Sequence, residues 1–124
     1  MKKQILISIV AIFLVSAYAI LRFGPTGAAP ASEVSYARDV RPILESRCAS
    51  CHMGEFVSAG LDMNTYDSLM QGSDNGPVID PGDAKHSLLI EKVTEGKMPK
   101  RGPKLTPAQI QIITNWIDAG APNN

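Results

Sequence analysis

Cys48-Ala49-Ser50-Cys51-His52 carries the strongest chemical signal in this 124-residue chain. Two thiols three positions apart, followed at once by an imidazole, form the C-x-x-C-H pattern of covalent c-type haem attachment. The spacing lets each sulfur close a thioether to one of the two vinyl groups on a porphyrin edge. The adjacent histidine is then aimed at the iron from one face. These are the only two cysteines in the chain, so both are committed to a single site.

Three other chemistries use the same residue types. A structural zinc site needs about four Cys and His ligands, usually in two pairs, and the only other histidine is the isolated His86. A thiol–disulfide reductase places C-x-x-C at a helix N-terminus beside a βαβ unit, and strand-like runs are missing from this sequence. A plain disulfide would leave His52 without a role. Haem attachment accounts for all five residues together.

The chain carries twelve basic and twelve acidic side chains, and this balance hides an N-terminal segment of different character. Lys2 and Lys3 precede an uncharged, mostly apolar run from Ile5 to Leu21, followed by Arg22 and Phe23. Residues 1–23 therefore read as a signal peptide or a membrane anchor. Ala17-Tyr18-Ala19 offers a cleavage pattern, whereas the continuation of the run to Leu21 favours a retained anchor over residues 5–23. Either way, the positive residues stay in the cytoplasm and the remainder is exported. A periplasmic or extracytoplasmic location suits c-type haem. Residues 24–34, rich in Gly, Pro, Ala and Ser, read as a flexible linker. The folded domain is expected over residues 35–122. A domain that small buries little apolar surface of its own and gains from a buried prosthetic group.

Helical signals dominate this domain. Asp39 reads as an N-cap for a helix over Asp39–Arg47, with Pro42 in its first turn and Val40, Ile43 and Leu44 as its apolar stripe. A short helix is expected over Ser87–Val93, with Gly96 beyond its end. The clearest element opens at Thr106-Pro107-Ala108-Gln109, a capping box with proline at the first helical position. It closes at Gly120 after an apolar face of Ile110, Ile112, Ile113, Trp116 and Ile117. A turn or two of helix is possible around Tyr66–Met70. The expected architecture is all-α, about three main helices and long loops around one haem, preceded by the N-terminal apolar helix.

A haem held by His52 on one side needs a second axial ligand, and the candidates are Met53, Met63, Met70, His86 and Met98. Met53 adjoins His52 and cannot reach the opposite face. Met63 and Met70 lie close to the attachment site in sequence. Met98, in the loop Lys97-Met98-Pro99, is favoured, since such a loop can cross the far face of the ring. A thioether there raises the reduction potential relative to harder ligands.

From Tyr36 to Ala121 the chain resembles the small cytochrome c domains of planctomycetes and related bacteria. The resemblance rests on Asp39-Val40-Arg41-Pro42-Ile43-Leu44 before Cys48 and Gly60-Leu61-Asp62 after it. Further on, it is carried by Pro81-Gly82, Ser87-Leu88-Leu89-Ile90, Met98-Pro99, Leu105-Thr106-Pro107 and Trp116-Ile117-Asp118-Ala119-Gly120. It implies a class I-like cytochrome c fold, thioethers at Cys48 and Cys51, and His52 and Met98 as iron ligands. One feature departs from the wider pattern. Many such proteins have a proline about a dozen residues after the motif, near the carbonyl that receives the histidine's ring N–H. Here the first proline after His52 is Pro77, so the sequence does not name that acceptor.

From Ser32 on, nine basic side chains face twelve acidic ones. Lys97, Lys100, Arg101 and Lys104 cluster around Met98, while the acids occupy the preceding loops. The cluster suggests steering of an acidic redox partner; neutralisation of haem propionates would serve equally. Nucleic-acid binding is not expected of an acidic domain with few aromatics. The expected function is a monohaem one-electron carrier and not an enzyme. The alternatives are a gas-binding haem sensor, in which a ligand displaces Met98, and the haem subunit of a larger oxidoreductase complex.

Overall fold

A computed structural model describes residues 33–124, and the N-terminal apolar segment lies outside the described residues. Glu33–Asn124 form one compact unit. Among the described residues there is no strand, only an isolated bridge between Ser73 and Gly76. The unit is all-α. A π-helical turn, Tyr36–Val40, runs directly into α1, Arg41–His52. The later helices are α2 (Tyr66–Gln71), α3 (Leu88–Thr94) and α4 (Pro107–Asp118), with single 3₁₀ turns at Ser58–Gly60 and Ala84–His86.

The first helical segment begins earlier than the sequence suggests, and Asp39 is not its N-cap. Ser35 is: its side chain accepts from the Arg38 amide. Asp39 closes the other half of the exchange, accepting from the Ser35 amide at 2.8 Å. Both residues thereby satisfy amides that the helix start leaves free. The segment also runs further than Arg47, carrying both cysteines and His52 on its last two turns. Pro42 sits in the first turn of α1, where its missing N–H costs no helical bond. Val40, Ile43 and Leu44 are buried, and these residues fix the helix against the core.

At α4 the capping box forms as its sequence indicates. Thr106 accepts from the Gln109 amide, and the Gln109 side chain accepts from the Thr106 amide. Ile113, Trp116 and Ile117 are completely buried. The helix ends in a Schellman arrangement: the Gly120 amide donates to Ile117 and the Ala121 amide to Trp116. Gly120 has φ +96°, which only glycine adopts without cost.

Tyr36, Tyr66 and Trp116 bring the first segment, α2 and α4 together. Tyr36 lies 5.2 Å from Tyr66 and 5.4 Å from Trp116 between ring centroids, and Tyr66 meets Trp116 edge to face. Two of the polar tips find partners on the C-terminal strap: the Trp116 indole donates to the Pro122 carbonyl at 2.8 Å and the Tyr66 hydroxyl to the Ala121 carbonyl. The strap continues to Asn124, whose carbonyl and side chain accept from Ser35, Tyr36 and Ala37. This closed scaffold holds the end of α1 still while the loops around it shape a cleft.

Candidate functional site

The C-terminal turns of α1 face a cleft with a cavity of about 250 Å³, and Cys48, Cys51, His52 and Met98 all line it. The helix brings the first three together, because residues three and four apart share one face. Met98 arrives from the loop after α3, where its amide donates to the carbonyl of Lys92 at 3.0 Å. The Met98–Pro99 peptide is cis.

His52 is held by the loop that follows it. Its Nδ1 lies 3.2 Å from the carbonyl oxygen of Leu61. A carbonyl can only accept, so this bond requires the proton on Nδ1 and leaves Nε2 with a free lone pair, the form that binds a metal. The Met63 amide donates to the His52 carbonyl at 2.7 Å. Asn64 braces the same loop, accepting from the Gly54 amide and donating to its carbonyl, while the Arg41 guanidinium of α1 donates to the Asn64 carbonyl. The acceptor that the sequence does not name is therefore Leu61. Its only sequence signal is the Gly60-Leu61-Asp62 stretch, where a glycine permits the turn that aims the carbonyl.

The other ligand candidates separate by position. Met63 lines the same cleft but is fully buried, with its backbone tied to His52. His86 is not among the lining residues; it is exposed and bonded to Asp83 at 2.6 Å. That carboxylate holds the His86 pKa above 6.5. Met53 and Met70 pack against the core away from the cleft lining.

Charge in the cleft is of one sign. Arg47, Lys92, Lys100 and Arg101 line it and no described carboxylate does, although Lys92 pairs with Glu91 at 2.6 Å. The Nε of Arg47 is buried without a hydrogen-bond partner among the described residues, a state that costs about 1–3 kcal/mol unless an acceptor arrives. The basic cluster read from the sequence is partly spent. Lys97 pairs with Glu95 at 2.7 Å, and the Lys104 ammonium donates to the Pro99 carbonyl. Lys100 and Arg101 remain at the cleft.

Burial, reinforced by neighbouring Cys51, pushes the Cys48 thiol up to about 11. A thiol–disulfide reductant needs the opposite shift, since only the thiolate attacks. The residues fit haem c instead. The cleft has two thiols on one wall, an imidazole with Nε2 free, a thioether, an apolar lining that includes Leu61, Val78 and Val93, and cations for two propionates.

Cytochrome c domains combine these parts, and comparison with known proteins agrees. Residues 48–102 match the family model described as planctomycete cytochrome C, and over this stretch the chain is similar to that family's domains. Such domains bind haem c covalently, and Cys48-Ala49-Ser50-Cys51-His52 is consistent with their attachment motif. The hydrazine synthase subunit alpha of Kuenenia stuttgartiensis is 27% identical over 122 residues, covering 71% of this chain and 15% of that protein. The chain thus spans about 15% of that curated relative's length. No solved structure matches.

Proposed function

We propose that this chain is a monohaem one-electron carrier of class I-like cytochrome c fold. Cys48 and Cys51 bind the porphyrin through thioethers, and His52 and Met98 hold the iron. Haem c, when bound, supplies the one-electron Fe(II)/Fe(III) couple. The chain's own residues set the conditions. Leu61 fixes the His52 tautomer and makes the imidazole a better donor. Met98, a soft ligand, favours the reduced state. Arg47, Lys100 and Arg101 offset propionate charge, and the apolar lining excludes water.

One observation carries the reading: His52, with its Nδ1 engaged by Leu61, and Met98 line the same cleft as both cysteines. Met98 is preferred to Met63, because the Met63 backbone is tied to His52 itself and its buried side chain serves as packing. With His52 and Met98 both given to the iron, the chain would leave no position open for substrate. The domain works on the extracytoplasmic side, and residues 5–23 anchor it if they are retained. An acidic redox partner meets Lys100 and Arg101 at the cleft.

A second reading is a haem domain acting inside a larger oxidoreductase. The likeness to hydrazine synthase subunit alpha, of which this chain matches a small part, favours it. Oxidised and reduced absorption spectra of the purified protein test both. Narrow c-type bands with a weak sulfur-to-iron absorption support His/Met ligation, and a high-spin spectrum would reject it. Co-purification with a catalytic subunit favours the second reading.

A further inference from the structure

We infer that the close seat of Asp74 on Gly60 positions the Leu61 carbonyl against His52 and so tunes the haem iron; this rests on the reading of His52 as an iron ligand. The Leu61 acceptor is a backbone atom, so its aim depends on the dihedrals of the turn before it. That turn is unusual. Ala59 has φ 55° and ψ 30°, and Gly60 has φ +66°, two left-handed residues in succession. A non-glycine residue in this region costs about 1–2 kcal/mol, so surrounding contacts must hold the turn in place.

The holding contacts come from the loop 72–76. It is closed on itself by paired bonds, Ser73 amide to Gly76 carbonyl and Gly76 amide to Ser73 carbonyl, both 2.9 Å. The Ser73 hydroxyl also accepts from the Asn75 amide. From this loop the Asp74 amide donates to the Ala59 carbonyl at 3.0 Å. The Asp74 carboxyl group occupies the space where a side chain at residue 60 would begin: a Cβ there would lie 2.1 Å from Oδ1 and 2.6 Å from Cγ. Glycine is favoured at this position by its φ, and a Cβ here would also displace the exposed Asp74 carboxyl group. Within the turn, the Leu61 amide donates to the Ser58 carbonyl at 3.2 Å. Ser58, Ala59, Ser73 and Asn75 all line the cleft, so the two loops make one wall of it.

The consequence is chemical. A well-aimed carbonyl makes the imidazole more basic and a stronger donor to Fe(III), which lowers the reduction potential. Gly60 and Asp74 touch neither the iron nor its ligands. They are positioning residues.

The experiment uses the full holoprotein and a double-mutant cycle, which isolates the coupling between two sites. Gly60→Ala is expected to raise the potential and to speed exchange of the His52 Nδ1 proton about tenfold in NMR. In an Asp74→Ala background, which removes the carboxylate but keeps the amide, the same substitution is expected to shift both much less. Equal effects of Gly60→Ala in both backgrounds, or no effect on proton and potential, would overturn the proposal. If Gly60→Ala yields no holoprotein, wild-type exchange decides. The Asp74 amide and the His52 ring proton are expected to open with the same free energy, and independent opening overturns the coupling. A wild-type spectrum without histidine ligation would instead sink the iron-ligand reading, an outcome distinct from all of these.

Discussion

The amide of Met98 is tied to the carbonyl of Lys92, 3.0 Å away, so the methionine loop is fastened directly to α3. That fastening holds the thioether at the cleft while Met63 fills space on the side of His52. Met98→Ala is expected to abolish the weak sulfur-to-iron absorption and lower the potential. Met63→Leu keeps the volume, is expected to retain both, and costs less than about 1.5 kcal/mol of stability. Rapid CO binding by the reduced wild type would favour the sensor alternative. Slow or absent binding is expected, with marked acceleration in Met98→Ala.

The Tyr66 hydroxyl donates to the Ala121 carbonyl at 2.7 Å. Tyr66→Phe is expected to destabilise the holoprotein by about 1 kcal/mol, the usual net worth of such a bond. Trp116→Ala removes the centre of the aromatic cluster and is expected to cost about 3–5 kcal/mol. Denaturant unfolding followed by haem absorbance measures both. Neither change reaches the iron, so the potential is expected to stay near the wild-type value in Tyr66→Phe.

His86 and Asp83 form an exposed pair with opposite pH limits. The His86 pKa is raised, so its contribution is complete below the ordinary value of 6.5 and fades as pH climbs through the raised value. The Asp83 pKa is lowered, so its contribution is present above 3.8 and fades as pH falls through the lowered value. NMR titration is expected to place the His86 midpoint above 6.5, returning toward it in Asp83→Asn and in high salt. The haem spectrum is expected to ignore this titration, because His86 lies off the cleft.

Lys100 and Arg101 line the cleft, whereas Glu95 offsets Lys97. Reversing both charges, Lys100→Glu with Arg101→Glu, is expected to slow electron transfer with an anionic partner about tenfold at low salt. Lys97→Gln is expected to have a much smaller effect. Stopped-flow rates across ionic strength check this, and rates indifferent to salt would remove the steering idea.

Much of the helical framework was legible because its signals are local. Thr106, Pro107 and Gln109 announce α4, Gly120 ends it, and α3 starts one residue after its expected first position. Asp39 looked like an N-cap because capping residue types are interchangeable by composition. Which of Ser35 and Asp39 holds the cap depends on where the π-helical turn begins. The four candidate haem-binding residues were legible from one motif and one loop. The Leu61 carbonyl was not, because a backbone acceptor has no residue type, and its aim comes from a contact between loops, Asp74 on Ala59, fifteen positions apart. The partners of Lys97 and Lys104 were equally hidden. A run of cations in sequence does not reveal that one meets Glu95 and another a carbonyl.

The intact mass of the protein, made in a host that matures c-type cytochromes, tests the central claim most directly. The account predicts the mass of one haem added through Cys48 and Cys51, with the addition lost when both are replaced by alanine. An unmodified, colourless wild-type chain from that host would contradict it.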